Sequence, residues 1–296
     1  MFIIICGEKR TLAKGRNPQI ACRVDNMDIL QAIILGAVQA VTEWLPLSSK
    51  TMDTLVYAQF FGGEKSGIIP VLLFLHIGTM LAAAIFFRKE IVELIKKAVQ
   101  RRTDIQRQAD SKTGFLVAAL LCTGAIGLPI LAIEQFILPD LKGGALLSVM
   151  GAGLVLTGFM LTAQHKNRWR NHETASWKDG VLTGALQGIS ALPGVSRAGA
   201  TTTALVWRGF DAESAFHLSF LLSIPTVFCM EVVLWLAQGG VSAIPVSEGL
   251  ALALSSFLFG YLTIGTLTRI AHRINIASLA FLFGMMMLAF GLLGVG

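Results

Sequence analysis

Six apolar segments set the outer limits of what this chain can fold into. They run approximately over Ile68–Phe87, Gly114–Phe136, Ala145–Ala163, Ala212–Ala237, Gly249–Thr268 and Ile276–Val295. Each has about the length of a helix that crosses a bilayer, which needs roughly 20 residues. Composition agrees: 54% of the residues are hydrophobic and 14% are charged, against about 25% charged in a soluble domain. The expectation is an all-α polytopic membrane protein with six transmembrane helices in a single domain. The formal charge of +6 is gathered in short loops, which points to membrane topology and not to nucleic acid. Cys6, Cys22, Cys122 and Cys229 form no CxxC pair, so they suggest neither a disulfide framework nor a metal site.

Two further apolar stretches are broken. Ile29 to Phe61 is interrupted by Leu45-Pro46-Leu47-Ser48-Ser49, and Gly180 to Trp207 contains Ser-Ala-Leu-Pro-Gly-Val-Ser-Arg-Ala-Gly-Ala-Thr-Thr-Thr from Ser190 to Thr203. Neither half of the first stretch is long enough to span, so the expectation is a re-entrant helical hairpin at each break. Non-helical backbone at membrane depth is tolerated only where protein or a water-filled cavity surrounds it. The two stretches resemble each other. Leu35-Gly36-Ala37-Val38-Gln39-Ala40-Val41-Thr42 matches Thr183-Gly184-Ala185-Leu186-Gln187-Gly188-Ile189-Ser190. Leu45-Pro46-x-x-Ser49-Lys50 then matches Leu192-Pro193-x-x-Ser196-Arg197 with one residue deleted. Each copy is one hairpin plus three spans, about 29–163 and 180–295 within a domain of residues 27–296. Three spans are odd, so the second copy is inverted, and the two breaks meet near the midplane.

Loop charge orients the set. Arg88 to Lys112 holds eight Lys/Arg against four acids, His165 to Asp179 holds four against two, and Arg269 and Arg273 mark a third basic loop. By the positive-inside rule these loops are cytoplasmic in a cell membrane, and both termini lie outside. The basic residues 1–26 do not suit the outer side. They read as an upstream extension, with Met27 the natural start.

Chemistry concentrates at the breaks. A guanidinium in hydrocarbon is costly, so Arg197 marks a functional site. With Ser196, Gly199, Thr201 and the neighbouring threonines it suits a phosphate or diphosphate; a short polar loop is the plainer alternative. Glu43, at the matching break, is a candidate base or metal ligand facing Arg197. Ser49 is a candidate nucleophile, since a serine needs a nearby base; Ser48 and Ser49 could equally cap the following helix. His76, inside the first span, is either catalytic or a packing residue.

On these residues the chain resembles the undecaprenyl-diphosphate phosphatase family of bacitracin-resistance proteins. The resemblance rests on Leu35-Gly36-x-x-Gln39-x-x-Thr42-Glu43-Trp44-Leu45-Pro46-Leu47-Ser48-Ser49 and on His76-Ile77-Gly78-Thr79. It continues through Pro193-Gly194-Val195-Ser196-Arg197-Ala198-Gly199-Ala200-Thr201 and Ser219-Phe220-Leu221-Leu222-Ser223-Ile224-Pro225. It implies an integral membrane enzyme that removes the terminal phosphate of a C55 isoprenyl diphosphate, recycling the carrier lipid of cell-wall synthesis with a divalent cation. Three positions depart from the family pattern. Gln39 stands where the family has the first Glu of Glu-x-x-x-Glu, Met52 where it has a histidine, and Ala198 where it has a serine. Gln39 cannot act as a base, and Met52 transfers no proton.

The expected site therefore has Glu43, Ser49 and Arg197 as catalytic groups. Ser48, Ser196, Gly199, Thr201, Gln39 and His76 contact the substrate, and Glu43 holds Mg²⁺ or Ca²⁺. The expected partner is a polyprenyl diphosphate lipid within the membrane, with no nucleic acid; a homodimer is compatible with the sequence. The alternative is a catalytically weak or inactive homologue that binds or translocates a polyprenyl phosphate.

Overall fold

The structure is a computed structural model that describes residues 27–62, 68–100, 111–137, 144–162, 169–237, 244–270 and 276–293. The expected extension at 1–26 and the central parts of the basic loops lie outside the described residues. Among these residues there are eleven α-helices: α1 (Ile29–Trp44), α2 (Ser49–Leu55, continued by one π-helical turn, Val56–Phe60), α3 (Ile68–Phe86), α4 (Arg88–Gln100), α5 (Lys112–Ile137), α6 (Gly144–Thr162), α7 (Trp177–Ile189), α8 (Arg197–Trp207), α9 (Ala212–Ala237), α10 (Val246–Ile270) and α11 (Ile276–Leu292). Helices α5, α6, α9 and α10 are long and apolar enough to cross a membrane. The two remaining expected spans coincide with α3, which is long and apolar enough when taken together with the bent helix that follows it, and with α11, a shorter apolar helix. The chain is thus an all-α multi-pass membrane protein.

One stretch departs from expectation. The segment from Arg88, read from its charges as a solvated loop, begins with the amphipathic helix α4, bent by 73° from α3. Ile91 and Leu94, three residues apart on one face, pack against the core, while Lys97 pairs outward with Glu93. High charge density hid a helical period carried by few apolar residues.

The halves of the chain exchange helices. In the first hairpin α1 packs on α10, from the second half; in the second hairpin α7 packs on α5, from the first half, and α6 packs on α11. Small residues make this close approach possible, as expected where lipid supplies no hydrophobic drive between helices. Gly36 faces Ser255, whose hydroxyl donates to the Ala32 carbonyl at 2.9 Å. Gly180 and Gly184 lie against the carbonyls of Phe115 and Ala119. Polar contacts repeat as well. Gln39 Nε2 donates to Thr79 Oγ1 (3.4 Å), and its counterpart Gln187 donates to Thr226 Oγ1 (3.0 Å). The same glutamine thus bonds the same position of the following long helix in each copy.

The base of the second hairpin is clamped. Arg170 and Arg208, from the segments flanking α7 and α8, both donate to the buried carboxylate of Asp179 in the first turn of α7, at 2.8–2.9 Å and 2.7 Å. Burial alone would raise that carboxyl, but these hydrogen bonds hold it down at about 2.

The α6–α11 seam offers a direct check on the packing. A Cβ at Gly151 would lie 2.8 Å from the Gly284 carbonyl oxygen, a contact only backbone movement can relieve, whereas a Cβ at Gly124 meets nothing within 4 Å. Gly151→Ala is expected to cost about 1–3 kcal/mol. It should lower the melting temperature of the detergent-solubilised protein, while Gly124→Ala leaves it unchanged or slightly raised.

Candidate active site

The two breaks share a Leu-Pro and a serine at the helix entry but differ in length, residues 45–48 in the first and 190–196 in the second. Helix α1 ends at Trp44, because the residue before Pro46 is pushed out of the helical region; Leu45 is extended, with φ −85° and ψ 148°. The chain re-enters a helix through an extended serine in each copy, Ser48 before α2 and Ser196 before α8. In the second break Gly194 adopts φ +85° and lies against the Met150 carbonyl, where a Cβ would come within 2.0 Å. Only glycine suits both requirements.

The breaks touch each other directly. Ser196 Oγ donates to the Leu47 carbonyl at 3.2 Å and accepts the Gly199 N–H at 3.1 Å, while the Ser196 N–H donates to Thr157 Oγ1 at 3.0 Å. Gly199 is packed between Thr157 and Pro46. These bonds satisfy irregular backbone that would otherwise be stranded in a lipid environment.

A polar cluster forms on this frame. Glu43, buried in the last turn of α1, accepts from Arg197 Nη2 through Oε1. Its Oε2 accepts from Ser49 Oγ at 2.7 Å and from Gln39 Nε2 at 3.3 Å. His76 Nε2 lies 3.8 Å from the same oxygen. The His76 Nδ1 is 2.7 Å from the Leu72 carbonyl; a carbonyl only accepts, so Nδ1 carries the proton and Nε2 is the nitrogen presented to Glu43. Several polar atoms here are buried with no partner: Arg197 Nη1, Gln39 Oε1 and both oxygens of Asp53. Trp44, set edge-on to Phe220 at 5.3 Å, joins Leu45, Leu47 and Met52 in an apolar cluster beside the breaks. Met52 is thus part of the core packing.

Five of the residues expected at the site converge on one another: Gln39, Glu43, Ser49, His76 and Arg197. The other four are placed in the frame. Ser48 accepts from Thr51 at 2.9 Å, and Ser196 and Gly199 join the breaks. Thr201 donates to the Arg197 carbonyl at 2.9 Å and meets Ser219 Oγ at 2.6 Å. Sequence reasoning passed over Thr157, which carries no local signal, and gave no role to Ser219, seen only as part of a motif, or to Asp53, seen only as a polar neighbour of the first break. The signal for Asp53 is that it follows Ser49 by one helical turn.

Comparison with known proteins now joins this geometry. The family model described as bacitracin resistance protein BacA matches residues 32–293, and the chain belongs to that family. A protein of Methanococcoides burtonii named undecaprenyl-diphosphatase is 34% identical over 84% of this chain and 93% of its own length. One of the same name from Haloarcula marismortui is 34% identical over 90% and 98%. A third, from Methanothrix thermoacetophila, is 33% identical over 89% and 97%.

The ion pair between the breaks has a measurable consequence. Removing one partner of a buried pair strands the other and costs about 3–5 kcal/mol. Arg197→Ala or Glu43→Ala alone should therefore lower the thermal stability of the substrate-free protein more than the double variant does. A melting series over the four proteins checks this through the sign of the coupling.

Proposed function

We propose that this protein hydrolyses undecaprenyl diphosphate, or a polyprenyl diphosphate of related length, to the lipid monophosphate and inorganic phosphate. The observation that carries the reading is one cluster holding a hydroxyl, a carboxylate and a guanidinium with an unused donor, formed where two broken helices meet. Membership of the family and the printed names of the relatives support the same reaction.

The chemistry follows from the distances. Arg197 Nη1, buried without an acceptor, is available to a phosphate oxygen, and a guanidinium binds such oxygens through paired N–H groups. A diphosphate arriving at Arg197 competes with Glu43 for the guanidinium. As that hold weakens, Glu43 becomes a stronger base toward Ser49, whose hydroxyl already points at it at 2.7 Å. Ser49 Oγ then attacks the terminal phosphorus and its proton passes to Glu43. The bridging P–O bond breaks, and the lipid monophosphate leaves. Glu43 hands that proton to the leaving monophosphate oxygen, and the carboxylate so regenerated deprotonates the water that releases phosphate from Ser49. His76 Nε2, beside Glu43, is placed to relay a proton.

The donor set also suits a divalent cation, Mg²⁺ or Ca²⁺. Glu43 and the unpaired amide oxygen of Gln39 are hard oxygen donors. Among the described residues no three His, Cys, Asp or Glu side chains group as a closed metal cage. A divalent ion supplies charge neutralisation at the phosphate oxygens. The charge of the basic segments supports a cell-membrane location with those segments cytoplasmic and both termini outside.

The test is phosphate release from C55 diphosphate by purified protein. Glu43→Gln is expected to reduce kcat by about 10²–10⁴-fold, the usual worth of a general base, and Arg197→Ala to abolish turnover. Release by the parent protein no greater than by Arg197→Ala would leave only lipid binding or translocation.

A further inference from the structure

Helix α4 stands apart from the Glu43–Arg197 site, and its surface is divided in a way the hydrolase reading does not use. It carries Arg88, Lys89, Lys96 and Lys97 against Glu90 and Glu93, a charge density that does not continue a span through hydrocarbon. The helix before it, α3, has 19 residues. That is about 28 Å of helix, close to the thickness of a bilayer's apolar core. The chain then turns by 73° into α4, which sets α4 close to the membrane plane at the end of that span.

Three faces of α4 have different surroundings. One is held by the protein: Ile91 and Leu94 pack on the core, and Glu90 accepts from Lys112 Nζ at 2.7 Å and meets His217 Nε2 at 2.8 Å. A second faces solvent and carries the exposed pair Glu93–Lys97. The third is covered by nothing among the described residues. Val92, Ile95 and Val99, at i, i+3 and i+7, form an apolar stripe exposed by 50%, 58% and 69%. At about 100° per residue, Lys89 and Lys96 border this stripe on the side away from the core. Both are exposed, and neither pairs with an acid among the described residues.

We propose that this third face is a docking surface for anionic phospholipid. Val92, Ile95 and Val99 enter the boundary between headgroups and acyl chains, and Lys89 and Lys96 meet headgroup phosphates. Two observations select that occupant. The face begins where a span ends, so a leaflet surface lies beside it. An apolar stripe edged by lysines also matches an anionic interface in both polarity and charge.

The test uses the full chain in a neutral detergent, titrated with phosphatidylglycerol or phosphatidylcholine and followed by melting temperature. Phosphatidylglycerol should raise the melting temperature more than phosphatidylcholine does, and the difference should shrink at high salt. Lys89→Gln with Lys96→Gln should raise the phosphatidylglycerol concentration for half effect by roughly tenfold or more, since each lysine near an anionic surface is worth about fivefold. Lys97→Gln, on the solvated face, should leave it unchanged. A spin label at Ile95→Cys, in a chain whose four native cysteines are serine, gives a second readout in bilayer nanodiscs. The label should be reached by oxygen and shielded from an aqueous nickel chelate. An equal response of the parent protein to the two lipids, or of the double-lysine variant and the parent to phosphatidylglycerol, overturns the proposal. So does a label open to the chelate, or one shielded from both reagents as beneath a protein partner or a second copy of the chain.

Discussion

The structure depends on one ion pair, Glu43 with Arg197, made between two places where the helical backbone is interrupted. Each element of that arrangement is costly by itself. An arginine or a glutamate surrounded by apolar helices loses its hydration, and a broken helix leaves carbonyls and N–H groups without partners. Together they offset one another. The pair neutralises both charges, and the breaks supply to each other the contacts that water would otherwise provide. Neither half of the chain can satisfy its own break. This accounts for the exchange of helices, in which α1 packs on α10 and α7 on α5, bringing α2 and α8 together between them.

The hydroxyls divide into two groups by what they are bonded to. Ser48, Ser196, Thr157 and Thr201 bond to backbone or to other hydroxyls. They fix the geometry of the breaks, so their loss would be felt through the position of Arg197 and Ser49. Among the buried atoms left without protein partners, Arg197 Nη1 and Gln39 Oε1 belong to side chains that converge on Glu43. A buried polar atom left unsatisfied in a site otherwise so completely bonded marks where a ligand supplies the missing partner.

Much of this was legible in the sequence, for definite reasons. Long apolar runs fix the helices, and Leu-Pro followed by a serine fixes both breaks. A charge inside an apolar hairpin is conspicuous, so Glu43 and Arg197 stood out and their pairing followed from the repeat. What was not legible was the partner of each hydroxyl. A sequence shows that Ser196 and Thr201 carry donors, but the carbonyl or hydroxyl each reaches lies on another helix: Leu47 for one and Ser219 for the other. The helix at Arg88–Gln100 was missed because its charges outweigh Ile91 and Leu94. Asp53 was visible only as one more polar neighbour of a break, since its burial depends on how α2 packs.

The replaced positions make sense together once the charges are counted. Gln39 stands one turn before Glu43 and donates to it at 3.3 Å, where a glutamate would place a second anion against the first. With the amide there, Glu43 and Arg197 balance to neutrality within the first hairpin and its partner. Met52 has joined the apolar packing around Trp44. The groups that gather at Glu43 are thus one acid, one guanidinium, one hydroxyl and one imidazole. The Glu43–Ser49 bond crosses the break between α1 and α2, and the Ser196–Leu47 bond ties that break to the other one, so the second hairpin helps to position the reacting groups of the first.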